Sequence, residues 1–418
     1  ASQKSGLDLF FGGYHITPAS DILHYLSNYK NFGVKTFQAE DEIAGVCSVI
    51  GSAFAGNLAA TASSGPGIAL KAEAIGLAVM TELPIVVINV QRGGPSTGLP
   101  TKTEQSDLLQ AMYGRNGECP MVILAPQSPT DCFNTIYEAS KIALEFMIPV
   151  MVLSDGYVAN GSEPWKIPNF EDLPTITPNF ATDSESYQPY KHDEKTLARQ
   201  WAIPGMKDFE HRVGGLEKEN ITGNVSYDPE NHHEMVEHRQ KKVDIIADHI
   251  PDIEPFGDKA GDVLVLGWGG TYGALRSAVE KAQIKGHAVS HVHLRHLNPF
   301  PSNLGELLIN YKKVLIPELN LGQLDMLIRS QFLIDTKGYN VVGGKPFSST
   351  EILTEIPDQI LEYDTIIGEE ILINQFRFSK FIKHNFKTMI AQPSLFFNKK
   401  KRNIKFHFDM MHGEGNLD

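Results

Sequence analysis

The sequence predicts an α/β protein made of two doubly wound parallel-sheet domains. Short apolar runs of strand length alternate with amphipathic, helix-length stretches from Leu7 to Asp155. The runs, "LPIVVINVQ" above all, are continuously apolar, as expected of parallel strands covered on both faces. The same alternation restarts at "GDVLVLGWGGTYG" after a long polar, Pro-rich interval. A chain of 418 residues also exceeds what one ordinary core organises.

The elements follow in order. After the first strand, "GYHITPAS" places Thr17 as a helix N-cap with Pro18 at the first helical position. In "FQAEDEIAGVCSVIGSAF", Glu40, Asp41 and Glu42 stand before Ile43, Val46, Cys47, Ile50 and Phe54, which fall at helical spacing. The three acids therefore sit at a helix N-terminus, where capping and the helix dipole account for them without chemistry. "LAATASSGPG" reads as a strand running into a Gly-Pro-Gly break, with a helix from Ile68 to Glu82. Ser63, Ser64 and Gly65 in that break form either an anion nest or a sharp turn. Arg92 ends the next strand and opens a hydroxyl-rich loop carrying Ser96, Thr97, Lys102 and Thr103, with Thr103 or Ser106 capping the helix beyond. Ligands of open parallel sheets bind off the carboxyl ends of strands, so Arg92 is a candidate clamp for a carboxylate. "MVILAP", a helix from Thr130 to Phe146 and "PVMVLSD" repeat the unit.

This first domain takes residues 1–165. Residues 166–260 read as an extended excursion, 261–392 as the second, smaller domain and 393–418 as a tail. In the excursion, "NHHEMVEHRQKKVDIIADHI" suggests metal, but His232 and His233 point to different helix faces and His238 is the one near partner, so a solvated helix is expected. "GWGGTYG" invites a dinucleotide reading, yet Gly273 falls one position late and no acid ends the following strand, which favours a tight turn into a helix from Tyr272 to Lys285. The strand after that helix reads as one run, "AVSHVHLRHL". "NKKKRN" in the tail is an arm for a partner chain or a solvated basic run.

Composition bounds the function. A net charge of −13 argues against a nucleic-acid partner, and no apolar run reaches bilayer-spanning length, so no membrane role is expected. Cys47, Cys119 and Cys132 form neither a disulfide framework nor a C-x-x-C pair, which fits a reducing, cytoplasmic setting. The start, ASQKSGLDLF, carries neither a signal-peptide pattern nor an initiator Met, and implies Met removal or a longer parent chain.

Taken together, "GYHITPAS", "QAEDEIAG", the run from "ATASSGPG" through "QRGGPSTGLPTKTEQSDLLQAMYGRNGECP", and "SDGYVAN" resemble the α subunit of 2-oxoacid:ferredoxin oxidoreductases of the 2-oxoglutarate type. The resemblance continues through "RVGGLE" and "GWGGTYGALRSA". It implies a thiamine diphosphate pyrimidine-binding domain followed by a transketolase-C-like domain. It also implies oxidative decarboxylation of 2-oxoglutarate with coenzyme A to succinyl-CoA and CO2, or the reverse carboxylation. Thiamine diphosphate would be shared with a β subunit that holds Mg2+ and a [4Fe–4S] cluster and passes electrons to ferredoxin, in an αβ or α2β2 assembly. This chain fits that division, lacking the diphosphate signature and clustered cysteines. By resemblance, Glu40 is the catalytic glutamate that shares a proton with N1′ of the aminopyrimidine. Thr17 matches the Thr of a Y-P-I-T-P-like motif that approaches the substrate, although His15 replaces that motif's first Pro. Arg92 matches a clamp on the substrate carboxylate, Lys102 is a candidate second contact, and Ser64 and Gly65 are assigned to the cofactor; no metal site is expected on this chain. In many members a γ-type domain precedes the point where this chain starts. The alternatives are a pyruvate or branched-chain 2-oxoacid enzyme, a nicotinamide-dependent dehydrogenase using "GWGGTYG", and a non-catalytic assembly subunit.

Overall fold

A computed structural model describes residues 1–357. The tail, its basic run and the end of the second domain lie outside the described residues. A short helix, α1 (Ser2–Ser5), precedes β1 (Leu9–Gly13), α2 (Ser20–Leu26), β2 (Val34–Gln38), α3 (Glu42–Phe54), β3 (Leu58–Ser63), α4 (Gly65–Met80) and β4 (Ile85–Gln91). Then come α5 (Leu108–Tyr113), β5 (Val122–Leu124), α6 (Asp131–Phe146), β6 (Val150–Asp155) and α7 (Gly156–Asn160). These strands form a sheet of order β2-β1-β3-β4-β6-β5, parallel throughout. β4 and β6 lie at its centre, buried at every position but Ile88, which is why each opens on a continuous apolar run, Ile85–Ile88 and Val150–Leu153.

Beyond α7, residues 176–203 pack back on this sheet, burying Ile176, Ala198 and Trp201 against Leu58, Tyr137 and Leu144. Helix α8 (Pro229–Asp244) starts as its sequence demands, with Pro229 in the first turn and the Asp228 carboxylate accepting from Glu230 N at 2.7 Å. It is solvated as expected on one face, where His232 and His233 are exposed, but its other face is docked. Met235, Arg239, Lys242 and Val243 are buried, and the buried cations are paired: Arg239 with Glu217 at 3.0 Å and Lys242 with Glu82. Among the described residues no cluster of three metal-ligating side chains occurs.

The second sheet contains β7 (Gly261–Trp268), β8 (Val289–Leu294), β10 (Tyr311–Glu318) and β11 (Thr336–Asn340), in parallel order β11-β10-β7-β8. Helices α9 (Tyr272–Ile284), α10 (Leu304–Leu308) and α11 (Gln323–Phe332) connect its strands. The expected single strand "AVSHVHLRHL" is in fact two. The chain leaves β8 at Arg295, and β9 (His296–Asn298) joins the first sheet, antiparallel to β5. One core accordingly runs through both sheets, from Val87 and Met151 to Leu264 and Ile316. No helix among the described residues is long and apolar enough to cross a membrane.

Candidate functional site

Order β2-β1-β3 reverses the chain's progress across the first sheet, which opens a crevice at the carboxyl ends of β1 and β3. The expected site residues lie along that edge: Thr17 after β1, Glu40 after β2, Ser64 and Gly65 after β3, and Arg92 and Lys102 after β4. Glu40 stands just ahead of the N-cap of α3. That cap is Asp41, whose carboxylate accepts from Ala44 N at 2.7 Å, and Glu42 begins the helix. The capping work falls to Asp41, and the exposed Glu40 carboxylate makes no hydrogen bond or ion pair among the described residues.

Thr17 is not a helix N-cap. The helix starts three residues later at Ser20, whose hydroxyl accepts from Ile16 N at 2.9 Å, and the Thr17–Pro18 peptide is cis. Thr17 is instead exposed on the preceding turn, its carbonyl held by Arg92 Nη1 at 2.5 Å. Arg92 is 6% exposed, and its Nε has no partner. Nearby, the hydroxyls of Ser63 and Ser64 and Oδ1 of Asn89 are buried and unpartnered as well. The other amide atom of Asn89 donates to Asp107 at 2.9 Å. Burial pushes the Asp107 carboxyl above its ordinary range, against the pull of Asn89, Ser106 and Arg92. A Cβ at Gly65 would meet that carboxylate at 3.0 Å. Helix α4 begins at Gly65, not Ile68, because Pro66 fits the first turn, where its missing N–H is no loss.

The loop after β4 folds on itself, Gly93 N donating to Lys102 O at 3.0 Å and Leu99 N to Gly93 O at 2.8 Å. Neither Thr103 nor Ser106 caps α5; Asp107 occupies that position. Thr103 gives its hydroxyl to Asp155 at 3.0 Å and Ser106 donates to Arg92 O at 3.0 Å. Gln105 ties the loop to the second sheet, donating to Trp268 O at 2.8 Å and accepting from Leu319 N at 3.0 Å. A cleft of about 570 Å3 opens here, and Thr17, Lys102, Thr103, Tyr157, Asn160 and Lys345 are among its lining residues. It brings Thr17 and Lys102 together and adds Lys345, which the sequence reading had missed. Arg92, Glu40 and Ser64 do not line it.

The "GWGGTYG" turn has a structural task. Gly270 N donates to Asp155 Oδ2 at 3.0 Å, and a Cβ at Gly270 would lie 2.4 Å from that oxygen. A buried carboxylate thus lies against the glycines that would have to cradle a pyrophosphate, so the turn is unsuited to a dinucleotide.

Fold and site together define a doubly wound α/β ligand-binding chain whose cleft lies on the carboxyl edge of its larger sheet. Residues 4–228 match the model of the thiamine diphosphate-binding domain of pyruvate flavodoxin/ferredoxin oxidoreductases. The chain is 57% identical over 355 residues to a 2-oxoglutarate oxidoreductase subunit, KorA, of Mycobacterium tuberculosis, covering 84% of this chain and 54% of that one. It is 35% identical to a 2-oxoglutarate synthase subunit, KorA, of Archaeoglobus fulgidus, covering 80% and 89%. It also resembles the solved 2-oxoglutarate:ferredoxin oxidoreductase of Magnetococcus marinus, with a TM-score of 0.82 at 35% identity, covering 86% of this chain and 63% of that one. The chain belongs to the 2-oxoacid:ferredoxin oxidoreductase family. It spans about half the length of its Mycobacterium tuberculosis relative.

Proposed function

We propose that this chain is the α subunit of a thiamine diphosphate-dependent 2-oxoglutarate:ferredoxin oxidoreductase. In this reading, oxidative decarboxylation of 2-oxoglutarate with coenzyme A yields succinyl-CoA and CO2, or the cycle runs in reverse. Electrons leave through a [4Fe–4S] cluster on a β subunit to ferredoxin, and the β subunit also holds Mg2+ and the diphosphate. The relative from Magnetococcus marinus, solved with 2-oxoglutarate, coenzyme A and succinyl-CoA bound, supports this choice of substrate.

The observation that carries the reading is Glu40, a carboxylate at a strand-to-helix corner left unpaired because Asp41 does the capping. The residues present fit the cofactor. Glu40 would share a proton with its pyrimidine ring, and the unpartnered Ser64 hydroxyl beside Gly65 offers a polar wall. When bound, thiamine diphosphate supplies the carbon nucleophile and the electron sink for the decarboxylation. Everything else falls to the chain. Arg92 holds the Thr17 turn in place through its carbonyl and has a buried Nε still unspent, while Thr17 and Lys102 present a hydroxyl and a cation to the cleft.

The test is reduction of a ferredoxin-like acceptor, dependent on 2-oxoglutarate and coenzyme A, by this chain co-expressed with its β partner, wild type beside Glu40→Gln. Collapse of turnover in the variant with thiamine diphosphate still bound is the expected result. Equal rates would remove Glu40 from the chemistry. Preferred turnover of pyruvate or a branched-chain 2-oxoacid would replace the substrate.

A further inference from the structure

We propose that Lys345, acting with Lys102, reads the distal carboxylate of a dicarboxylic 2-oxoacid; this rests on the functional reading above and specifies its substrate site. The two lysines come from loops far apart in sequence, one after β4 and one after β11, yet both line the cleft that holds Thr17. Their proximity is built into the backbone. Gly344 has φ +64, and a Cβ there would lie 2.8 Å from Lys102 Cβ, so the backbone of the Lys345 loop rests directly on the Lys102 stem. Any side chain at position 344 would push the two loops apart.

Among the described residues neither cation is committed elsewhere. Lys345 reaches only Glu351 among them, at 3.9 Å, with its side chain 68% exposed. Lys102 uses its backbone N–H and carbonyl to close its loop and leaves its ammonium exposed. Asp21, the carboxylate in the cleft lining, is 98% exposed and approaches His24 at 3.8 Å. Two lysines against one solvated acid leave the cleft cationic in a chain of net charge −13. That excess suits an anion placed beyond the reacting end of the substrate, which this reading puts at Thr17, on the turn that Arg92 braces from outside the cleft. A monocarboxylic 2-oxoacid has nothing to offer it.

The experiment uses the co-expressed holoenzyme and compares Lys345→Met, Lys345→Arg and Gly344→Ala with wild type. It measures kcat/KM for 2-oxoglutarate, the same for 2-oxobutyrate (followed as a competitor where turnover is slow), and KM for coenzyme A. Lys345→Met is expected to lower kcat/KM for 2-oxoglutarate about tenfold or more, the worth of one charge-assisted hydrogen bond. The 2-oxobutyrate value and the KM for coenzyme A should stay at wild type, and Lys345→Arg should keep most of the selectivity. Gly344→Ala should reproduce the loss without changing any charge. Equal losses on both 2-oxoacids, an effect on coenzyme A alone, or no effect would each overturn the proposal. Wild type that ignores 2-oxoglutarate would bring down the functional reading as well, and is told apart because it needs no variant.

Discussion

Replacing Gly270 by Ala tests how the two sheets are joined. The new methyl carbon would stand 2.4 Å from Asp155 Oδ2 and 3.0 Å from both Oδ1 and Cγ. An ordinary carbon–oxygen contact needs about 1 Å more than the shortest of these. The carboxylate cannot swing aside freely. Oδ1 accepts from Tyr157 N at 2.8 Å, Val158 N at 3.0 Å and Thr103 Oγ1 at 3.0 Å, and Oδ2 from Gly270 N at 3.0 Å. Moving it breaks at least the Gly270 bond, worth about 1.5–3 kcal/mol for a charged acceptor. Overpacking adds about 1–3 kcal/mol. The expected loss is about 3–5 kcal/mol, read by urea or thermal unfolding. Gly273, in the first turn of α9 with nothing within 4 Å of its Cβ position, is the control. There Ala should be neutral or stabilise by up to about 1 kcal/mol. Equal stability of the two variants would refute the packing argument and reopen the turn to a ligand.

Three further outcomes are expected. Lys242→Met leaves Glu82 buried with His192 alone at 2.9 Å and should cost about 3–5 kcal/mol in unfolding, part of it recovered in the Glu82→Met, Lys242→Met double variant. Burial lowers the His293 pKa from 6.5 to about 4. The unfolded chain therefore takes up a proton that the folded chain refuses, so this contribution is present above pH 6.5 and is lost as pH falls toward 4. It amounts to at most about 3 kcal/mol, and His293→Gln should flatten the dependence of urea stability on pH over that window. Arg92→Lys, which loses the planar fork at Thr17, should lower kcat/KM about 10- to 100-fold while the unfolding midpoint stays near wild type; an unchanged kcat/KM would remove Arg92 from the site.

The strands with continuous apolar runs were legible because a parallel strand buried on both faces leaves no other reading, as in Ile85–Gln91. Boundaries set by competing caps were not. Thr17 and Thr103 both carry the right hydroxyl, but each belongs to a turn fixed by a distant partner, Arg92 for one and Asp155 for the other. The break at Arg295 was hidden because β8 and β9 make one unbroken run in sequence while pairing with different sheets. Buried charge on α8 escaped for a related reason: Lys242 and Arg239 look solvent-facing until Glu82 and Glu217 arrive from elsewhere. Lys345 sits in "VVGGKPF", a loop with no periodicity, and only the contact of Gly344 with Lys102 marks it.

The antiparallel pairing of β9 with β5 has a consequence for synthesis. β5 is three residues long and would be the open edge of the first sheet until His296–Asn298 arrives, roughly 140 residues after β6 has left the ribosome. A nascent chain at that stage exposes an unpaired rim that invites self-association, and brevity is the device that limits the hazard. A gene fragment ending near residue 165 would keep the inner strands of this open sheet yet carry that rim permanently. Such a fragment should collect in inclusion bodies, whereas one extended past β9 should not.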